Sequence, residues 1–73
     1  MNKEDNLFAR RLRSLREAAH FSPGELAEVA GINRVTLWRL ERGKISPGWQ
    51  TVCRLAAALG VTTEAFYRCR RDG

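Results

Sequence analysis

The chain has 73 residues, with 13 Lys and Arg against 8 acids, which gives a net charge of +5 and a pI near 10.2. This length holds one small domain, and the charge favours nucleic acid or an anionic membrane surface as partner over a merely soluble basic protein. No apolar run reaches the ~20 residues of a membrane span, and the charged start lacks a signal-peptide core, so we predict a cytoplasmic protein. A membrane-surface role would require basic residues opposite an exposed apolar stripe on one helix, and the apolar stripes here are needed for the core, so we expect no membrane partner.

Residues 5–19 predict the first helix. Apolar residues recur there every three or four positions, as on one side of a helix, and they are Phe8, Leu12, Leu15 and Ala19. The opposite, solvated face holds Arg10, Arg13 and Glu17. His20 follows where a left-handed residue commonly ends a helix, so it is predicted to be a cap and not a ligand or base.

The second predicted helix begins at a strong capping sequence. Ser22 is predicted as the N-cap, Pro23 as the first helical residue and Glu25 as its capping-box partner. The helix is expected to reach about Ala30, because Gly31 then supplies the positive φ of a tight turn.

A third helix is predicted from Arg34 to about Glu41 or Arg42. Asn33 is predicted to cap its start, and Gly43 is expected to end it. These boundaries leave only a short turn between the second and third predicted helices.

Two further helices are predicted after this point. Ser46 and Pro47 are expected to open the fourth helix and Gly60 to close it. Its apolar stripe comprises Trp49, Val52, Cys53, Ala56 and Leu59. Thr62 is predicted to cap a short fifth helix that includes Glu64, Phe66 and Tyr67. The tail, 68–73, has no apolar pattern and is expected to fray. The five predicted helices and the lack of a strand signal together predict an all-α fold.

Residues 23–42 meet the requirements of a helix-turn-helix, two helices joined by a short glycine-containing turn. The helices cross closely, which requires a small residue, Ala27, and the turn requires left-handed backbone, supplied by Gly31. The predicted apolar anchors are Leu26, Ile32, Leu37 and Leu40.

The outward face of the third predicted helix is strongly basic. At about 100° per residue, five side chains fall within about 140° of one another. They are Arg34, Val35, Trp38, Arg39 and Arg42. A solvated helix face normally mixes charges and gains i,i+4 ion pairs, so an all-basic face favours contact with nucleic acid over an ordinary wet surface.

Four of these side chains suit base contacts in the major groove. Arg34 and Arg39 can each donate two hydrogen bonds to guanine O6 and N7, and Val35 can pack on a thymine methyl. Trp38 has several open roles: contact with a sugar edge, a hydrogen bond to phosphate, contact with a partner chain, or partial burial. The residues suited to phosphate contacts, which fix register, are Thr36, Arg42 and Lys44.

Several ordered segments give the chain a family pattern. They are Leu12-Arg13-x-Leu15-Arg16, Ser22-x-x-Glu25-Leu26-Ala27, Ala30-Gly31-Ile32-Asn33-Arg34-x-Thr36-Leu37, Arg39-Leu40-Glu41-Arg42-Gly43 and Pro47. In this order they resemble the Cro/repressor-type helix-turn-helix family, also called the XRE family. The resemblance implies a five-helix lambda-repressor-like DNA-binding domain at 12–66, preceded by part of the first helix (1–11) and followed by a basic tail (67–73).

The resemblance also implies partners and particular residue roles. Members are mostly transcriptional regulators that bind double-stranded DNA operators as dimers, so we expect a homodimer. Arg16 and Glu41 match an Arg–Glu pair that links the first helix to the end of the third and, if buried, fixes the angle of that helix. Many relatives have Gln, which touches the DNA backbone, where this chain has Pro23. Proline has no such donor, so relatives' operator sequences do not transfer to this chain.

Other functions have less support. Cys53 and Cys69 form no CxxC pair and His20 is the one other candidate ligand nearby, whereas zinc needs about four closely spaced ligands. Both thiols are predicted to be free in a reducing cytoplasm, with Cys53 as a small hydrophobic residue. We therefore expect no metal, cofactor, small-molecule ligand or enzymatic activity, and no separate ligand-binding domain.

The sequence thus predicts a transcriptional regulator, either a repressor or a controller protein, that reads the major groove with residues 34–42. The alternative is an antitoxin-type interaction module that binds a toxin as well as its own operator. A mobility shift with a cognate DNA fragment in the absence of any partner protein separates these two functions.

Overall fold

The computed structural model describes residues 7–67, which form four α-helices and one short 3₁₀ helix and contain no strand. The helices are α1 (Leu7–Ala18), α2 (Pro23–Ala30), α3 (Arg34–Glu41), α4 (Trp49–Leu59) and the 3₁₀ helix (Thr63–Phe66). The all-α prediction is confirmed for this part of the chain. Asp5, at the predicted start of the first helix, and the tail, 68–73, with Cys69 lie outside the described residues. No described helix combines the length and apolar character that a bilayer crossing requires.

The prediction of a fifth helix in an all-α fold needs correction, because this segment is a short 3₁₀ helix and not an α-helix. Its backbone bonds run from Ala65 N to Thr62 O and from Tyr67 N to Glu64 O, both 3.0 Å and both spanning three residues. Thr62 is the N-cap, but its side chain makes no capping hydrogen bond. The element is four residues long, which favours the tighter 3₁₀ winding over an α-helix that needs a longer run to stabilise its first turn.

The starts of α2 and α3 form as the sequence predicts. Ser22 N donates to Glu25 Oε1 at 2.8 Å and Glu25 N donates to Ser22 Oγ at 3.1 Å, which completes the capping box. At α3, Val35 N donates to Asn33 Oδ1 at 2.7 Å. These bonds satisfy backbone donors that a helix start otherwise leaves without partners.

All four α-helices end in the same way, with a left-handed residue after the last turn. These residues are His20, Gly31, Gly43 and Gly60, with φ between 63° and 74°. The following N–H donates five residues back in each case, as in the bond from Phe21 to Arg16 O at 3.1 Å. The predicted cap role of His20 is therefore confirmed. Ala19 falls in the turn beyond α1 and is exposed, so its predicted place in the apolar stripe was wrong.

The start and the buried face of α4 also differ from prediction. The N-cap is Gly48 and not Ser46, because the backbone is still extended at Gly48 (ψ 163°). The buried arc of α4 consists of Val52, Leu55 and Ala56. Trp49 (64% exposed) and Cys53 are exposed, because they lie about 70° and 110° from the centre of that arc at 100° per residue.

The hydrophobic core lies between the helices and includes side chains from every element. α2 packs against α3 and α4, while α1 packs against α3 and the 3₁₀ helix. The core residues are Phe8, Ala9, Leu12, Leu26, Ala27, Ala30, Leu37, Leu40, Val52, Leu55, Ala56 and Phe66. Phe66 is fully buried, with its ring centroid 4.9 Å from that of Phe8. Through this contact the 3₁₀ helix packs against α1 and becomes part of the core.

Candidate nucleic-acid interface

The helix-turn-helix of α2 and α3 is held from beneath by apolar side chains. Leu26 and Leu37 are fully buried, and Ala27 and Leu40 are buried almost as completely. Ile32, in the turn, packs against the same cluster while remaining partly exposed. The structure therefore brings together the residues that the sequence selected as anchors, and their burial orients α3 with its opposite side towards solvent.

The turn between the two helices is fixed by backbone geometry and by one distant side chain. Gly31 has φ 74°, which residues with a Cβ rarely adopt, and Ile32 N donates to Ala27 O at 2.9 Å. Arg54, on α4, donates from Nη1 to the Gly31 carbonyl at 3.1 Å. The sequence analysis missed Arg54, since its partner is 23 residues away and no local pattern signals the contact.

A buried ion pair joins α1 to the end of α3. Arg16 Nε donates to Glu41 Oε2 at 2.6 Å and Arg16 Nη2 donates to Glu41 Oε1 at 3.2 Å. The two side chains are only 12% and 9% exposed. Arg16 Nη1 also donates to the Phe21 carbonyl at 3.0 Å, so the guanidinium spans the α1–α2 corner as well. This two-point contact restricts the tilt of α3 relative to α1.

The same ion pair removes the only acid of α3 from its outward surface. Glu41 points inward and is matched by Arg16, whereas Arg34, Arg39 and Arg42 are all exposed. No carboxylate among residues 7–67 forms an ion pair with Arg34 or Arg39. The outward face therefore retains its positive charge and its N–H donors for an external anion.

Two apolar side chains lie on this face among the arginines. Val35 is 52% exposed and Trp38 is 46% exposed. The guanidinium carbon of Arg42 lies 5.0 Å from the centre of the Trp38 ring, a distance at which a cation is attracted to the aromatic face. Trp38 is thus exposed on this face, with the guanidinium of Arg42 over its ring.

The predicted phosphate-contacting residues occupy different positions around α3. Arg42 is exposed at the C-cap, and Lys44 is exposed two residues beyond it. Thr36 is half-buried and lies on the side of α3 next to the basic arc, not within it. Arg42 and Lys44 therefore share one end of α3, while Thr36 lies nearer its start.

Arg34 takes a direction that the sequence did not indicate. Its guanidinium lies against Gly24, near the start of α2, and a Cβ built on Gly24 would be 2.8 Å from Arg34 Nη2. Arg34 and Arg39 are both exposed, but Arg34 reaches back over α2 instead of standing free of the fold.

The described residues offer no arrangement for metal binding. Among residues 7–67, no three His, Cys, Asp or Glu side chains are grouped closely enough to hold an ion. What the surface can do is donate many hydrogen bonds from a convex, cationic helix, which matches the acceptor-rich edges and phosphates of a nucleic-acid groove.

Comparison with known proteins shows similarity over most of the chain. Residues 7–66 match the family described as a helix-turn-helix domain. Two uncharacterised HTH-type transcriptional regulators from Mycobacterium tuberculosis strains are each 39% identical over 56 residues, which covers 77% of this chain and 40% of either relative. The matched region thus covers two fifths of the length of these relatives.

Two solved structures have the same fold. The restriction-modification controller protein C.AhdI from Aeromonas hydrophila superimposes with a TM-score of 0.83 at 31% identity, covering 88% of this chain and 98% of that chain. An HTH_3 family transcriptional regulator from Vibrio cholerae superimposes with a TM-score of 0.81 at 29% identity, covering 85% of this chain and 35% of that chain.

Proposed function

From its membership of the helix-turn-helix domain family, we propose that the chain is a sequence-specific transcriptional regulator that reads double-stranded DNA with α3. This membership agrees with the Cro/repressor-type pattern of the sequence. The observation that carries the proposal is the outward face of α3, where three arginines are exposed while the one acid is buried against Arg16. The likeness to a restriction-modification controller protein over 98% of that protein's chain favours a small repressor or controller. This function needs no metal, cofactor or catalytic residue, and a cytoplasmic location suits it.

We assign the contacts on DNA from the chemistry of each side chain and its position on or beside α3. Arg39 and Arg34 donate to guanine edges, and Val35 packs on a thymine methyl. Trp38 also faces the groove, where its exposed part contacts a base or sugar edge. Phosphate contacts, which set register without reading sequence, are assigned to Thr36, Arg42 and Lys44. The total charge supplies attraction for any DNA, and the side chains of α3 supply the choice of sequence.

Selection of bound sites from a random DNA pool tests the proposed function. The whole chain is expected to enrich one short sequence, and a labelled fragment of that sequence is expected to shift in mobility without any added protein. Recovery of unrelated sequences with equal affinity would show that the protein binds DNA through charge alone, and the regulator proposal would be withdrawn.

We also propose that two copies bind the operator together. α3 has eight residues and is only about 12 Å long at 1.5 Å per residue, so one copy contacts few base pairs. Trp49 and Tyr67 are 64% and 50% exposed and border an open hollow of about 390 Å³. Exposed aromatic side chains of this kind are enriched at protein interfaces, and we place the contact with the second copy here.

The symmetry of the selected DNA checks the homodimer. We expect two inverted half-sites whose centres lie about 34–36 Å apart. Trp49→Ser is expected to lower the dimer fraction in sedimentation and to weaken binding to the double site more than to one half-site. A selected sequence with a single, unrepeated half-site would contradict a dimeric complex.

Replacing Arg39 and Lys44 separately distinguishes base reading from phosphate contact. Arg39→Ala is expected to weaken the selected site by about 1–3 kcal/mol and to relax the preference at one base pair, because a bidentate guanine contact is lost. Lys44→Ala is expected to weaken selected and random DNA about equally and to reduce the salt dependence of binding by about one counterion. Fluorescence anisotropy over a salt series measures both, and equal effects of the two variants on random DNA would contradict these roles.

A further inference from the structure

Gly24 and Arg34 are in contact across the helix-turn-helix. A Cβ added to Gly24 would lie 2.8 Å from Arg34 Nη2, 3.1 Å from Nε and 3.2 Å from the guanidinium carbon. All three distances are shorter than ordinary van der Waals contact, so any residue other than glycine must displace the guanidinium. Gly24 is only half-buried and lies in the first turn of an α-helix, where neither a turn nor a positive φ requires glycine.

The guanidinium of Arg34 lies there without an acceptor among the described residues. No hydrogen bond or ion pair joins Arg34 to another residue in the range 7–67. The carboxylate of Glu25, next to Gly24, accepts a hydrogen bond from the backbone N–H of Ser22 at its Oε1, at 2.8 Å, and makes no ion pair with Arg34. The guanidinium therefore lies against Gly24 with its N–H donors available to an external acceptor.

We propose that Gly24 is a specificity-determining residue, because the absence of its side chain provides the space that directs the Arg34 guanidinium to one place on the DNA. The inference rests on the proposed function, since it concerns how α3 reads its operator. Gly24 itself contributes no donor or acceptor side chain, and its effect passes entirely through Arg34. A residue with a Cβ at this position redirects the guanidinium and thereby changes the base pair that it contacts.

Gly24→Ala tests the proposal without loss of the fold. The atoms that the new methyl group meets belong to the far end of a flexible side chain, so the displacement is easy, and alanine is also a better helix former than glycine. The melting temperature is expected to stay the same or rise. Affinity for the site selected by the wild type is expected to fall roughly tenfold, as for loss of one arginine contact, and repeated selection is expected to return a different preference at one position.

Two further variants make the result specific. Gly48→Ala is the matched control, because a methyl group there meets no atom within 4 Å, and it is expected to leave base preference unchanged. Gly24→Ala in an Arg34→Ala background is expected to have no additional effect on affinity, because the side chain that it redirects is absent.

The outcomes separate this inference from the proposed function. If Gly24→Ala keeps wild-type affinity and base preference while Arg34→Ala does not, Gly24 does not direct Arg34 and the inference fails while the regulator function stands. A loss of affinity that persists in the Arg34→Ala background would assign the effect to α2 itself and would also overturn the inference. If the wild type selects no sequence, the proposed function fails and the inference fails with it.

Discussion

Arg16→Ala is expected to lower the free energy of unfolding by about 3 kcal/mol and to weaken DNA binding at the same time. The substitution leaves Glu41, which is 9% exposed, without the guanidinium that donates two hydrogen bonds to it. Removing one partner of a buried pair costs about 3–5 kcal/mol because the other charge is left desolvated. The lower end applies, since both side chains retain some contact with water.

The loss is large relative to the stability of so small a domain. A chain of 73 residues has roughly 4–11 kcal/mol in total at about 0.05–0.15 kcal/mol per residue. A loss of about 3 kcal/mol is expected to lower the melting temperature by roughly 12–24 °C, at about 4–8 °C per kcal/mol for a domain of this size. DNA binding is expected to weaken even at temperatures where the variant is folded, because α3 loses the contact that restricts its tilt against α1.

Thermal unfolding followed by circular dichroism measures the effect, and Arg13→Ala is the matched control. Arg13 lies on the same helix and is exposed, and its one long contact is from Nη1 to the Glu41 carbonyl at 3.4 Å. Arg13→Ala is expected to change the free energy of unfolding by less than about 0.5 kcal/mol, as surface substitutions usually do. An apolar replacement of both partners, Arg16→Met with Glu41→Leu, is expected to be more stable than Arg16→Ala. An unchanged melting temperature for Arg16→Ala would show that the pair has no structural role.

Phe66→Ala is expected to remove a large part of the free energy of unfolding of this domain and to lower the midpoint of denaturation strongly. Phe66 is fully buried and packs against Phe8 with 4.9 Å between ring centroids. Removing a buried phenylalanine ring costs about 3–5 kcal/mol through lost transfer energy and the remaining cavity. Phe66 is the one buried side chain of the 3₁₀ helix, so its truncation removes the buried contact between this helix and the core.

Chemical denaturation with a graded series checks this prediction. Phe66→Leu keeps most of the apolar volume and is expected to retain a cooperative transition at a lower midpoint. Val29→Ala is the control, since Val29 is 58% exposed and its truncation removes little buried surface. A midpoint for Phe66→Ala within experimental error of that for Val29→Ala would mean that the 3₁₀ helix does not support the core.

Features that depend on neighbouring residues could be predicted from the sequence. The capping box of α2, the Asn33 cap of α3 and the left-handed residues His20 and Gly31 all form as predicted. Each of them is decided by hydrogen bonds and sterics within about five residues, so the local pattern contains the necessary information. The basic outward arc of α3 could be read in the same way, because helical periodicity alone separates it from Leu37 and Leu40.

Only the tertiary structure decided which side of α4 is buried and which long-range contacts the side chains of Arg54 and Arg34 make. Trp49 and Cys53 lie at helical spacing beside Val52, and periodicity alone could not show that the neighbouring elements cover only one part of that arc. The contact of Arg54 with the Gly31 carbonyl and that of Arg34 with Gly24 likewise depend on how helices meet. Short-range chemistry set the boundaries of α2 and α3, whereas the directions of long, flexible side chains follow from packing between segments that are distant in the chain.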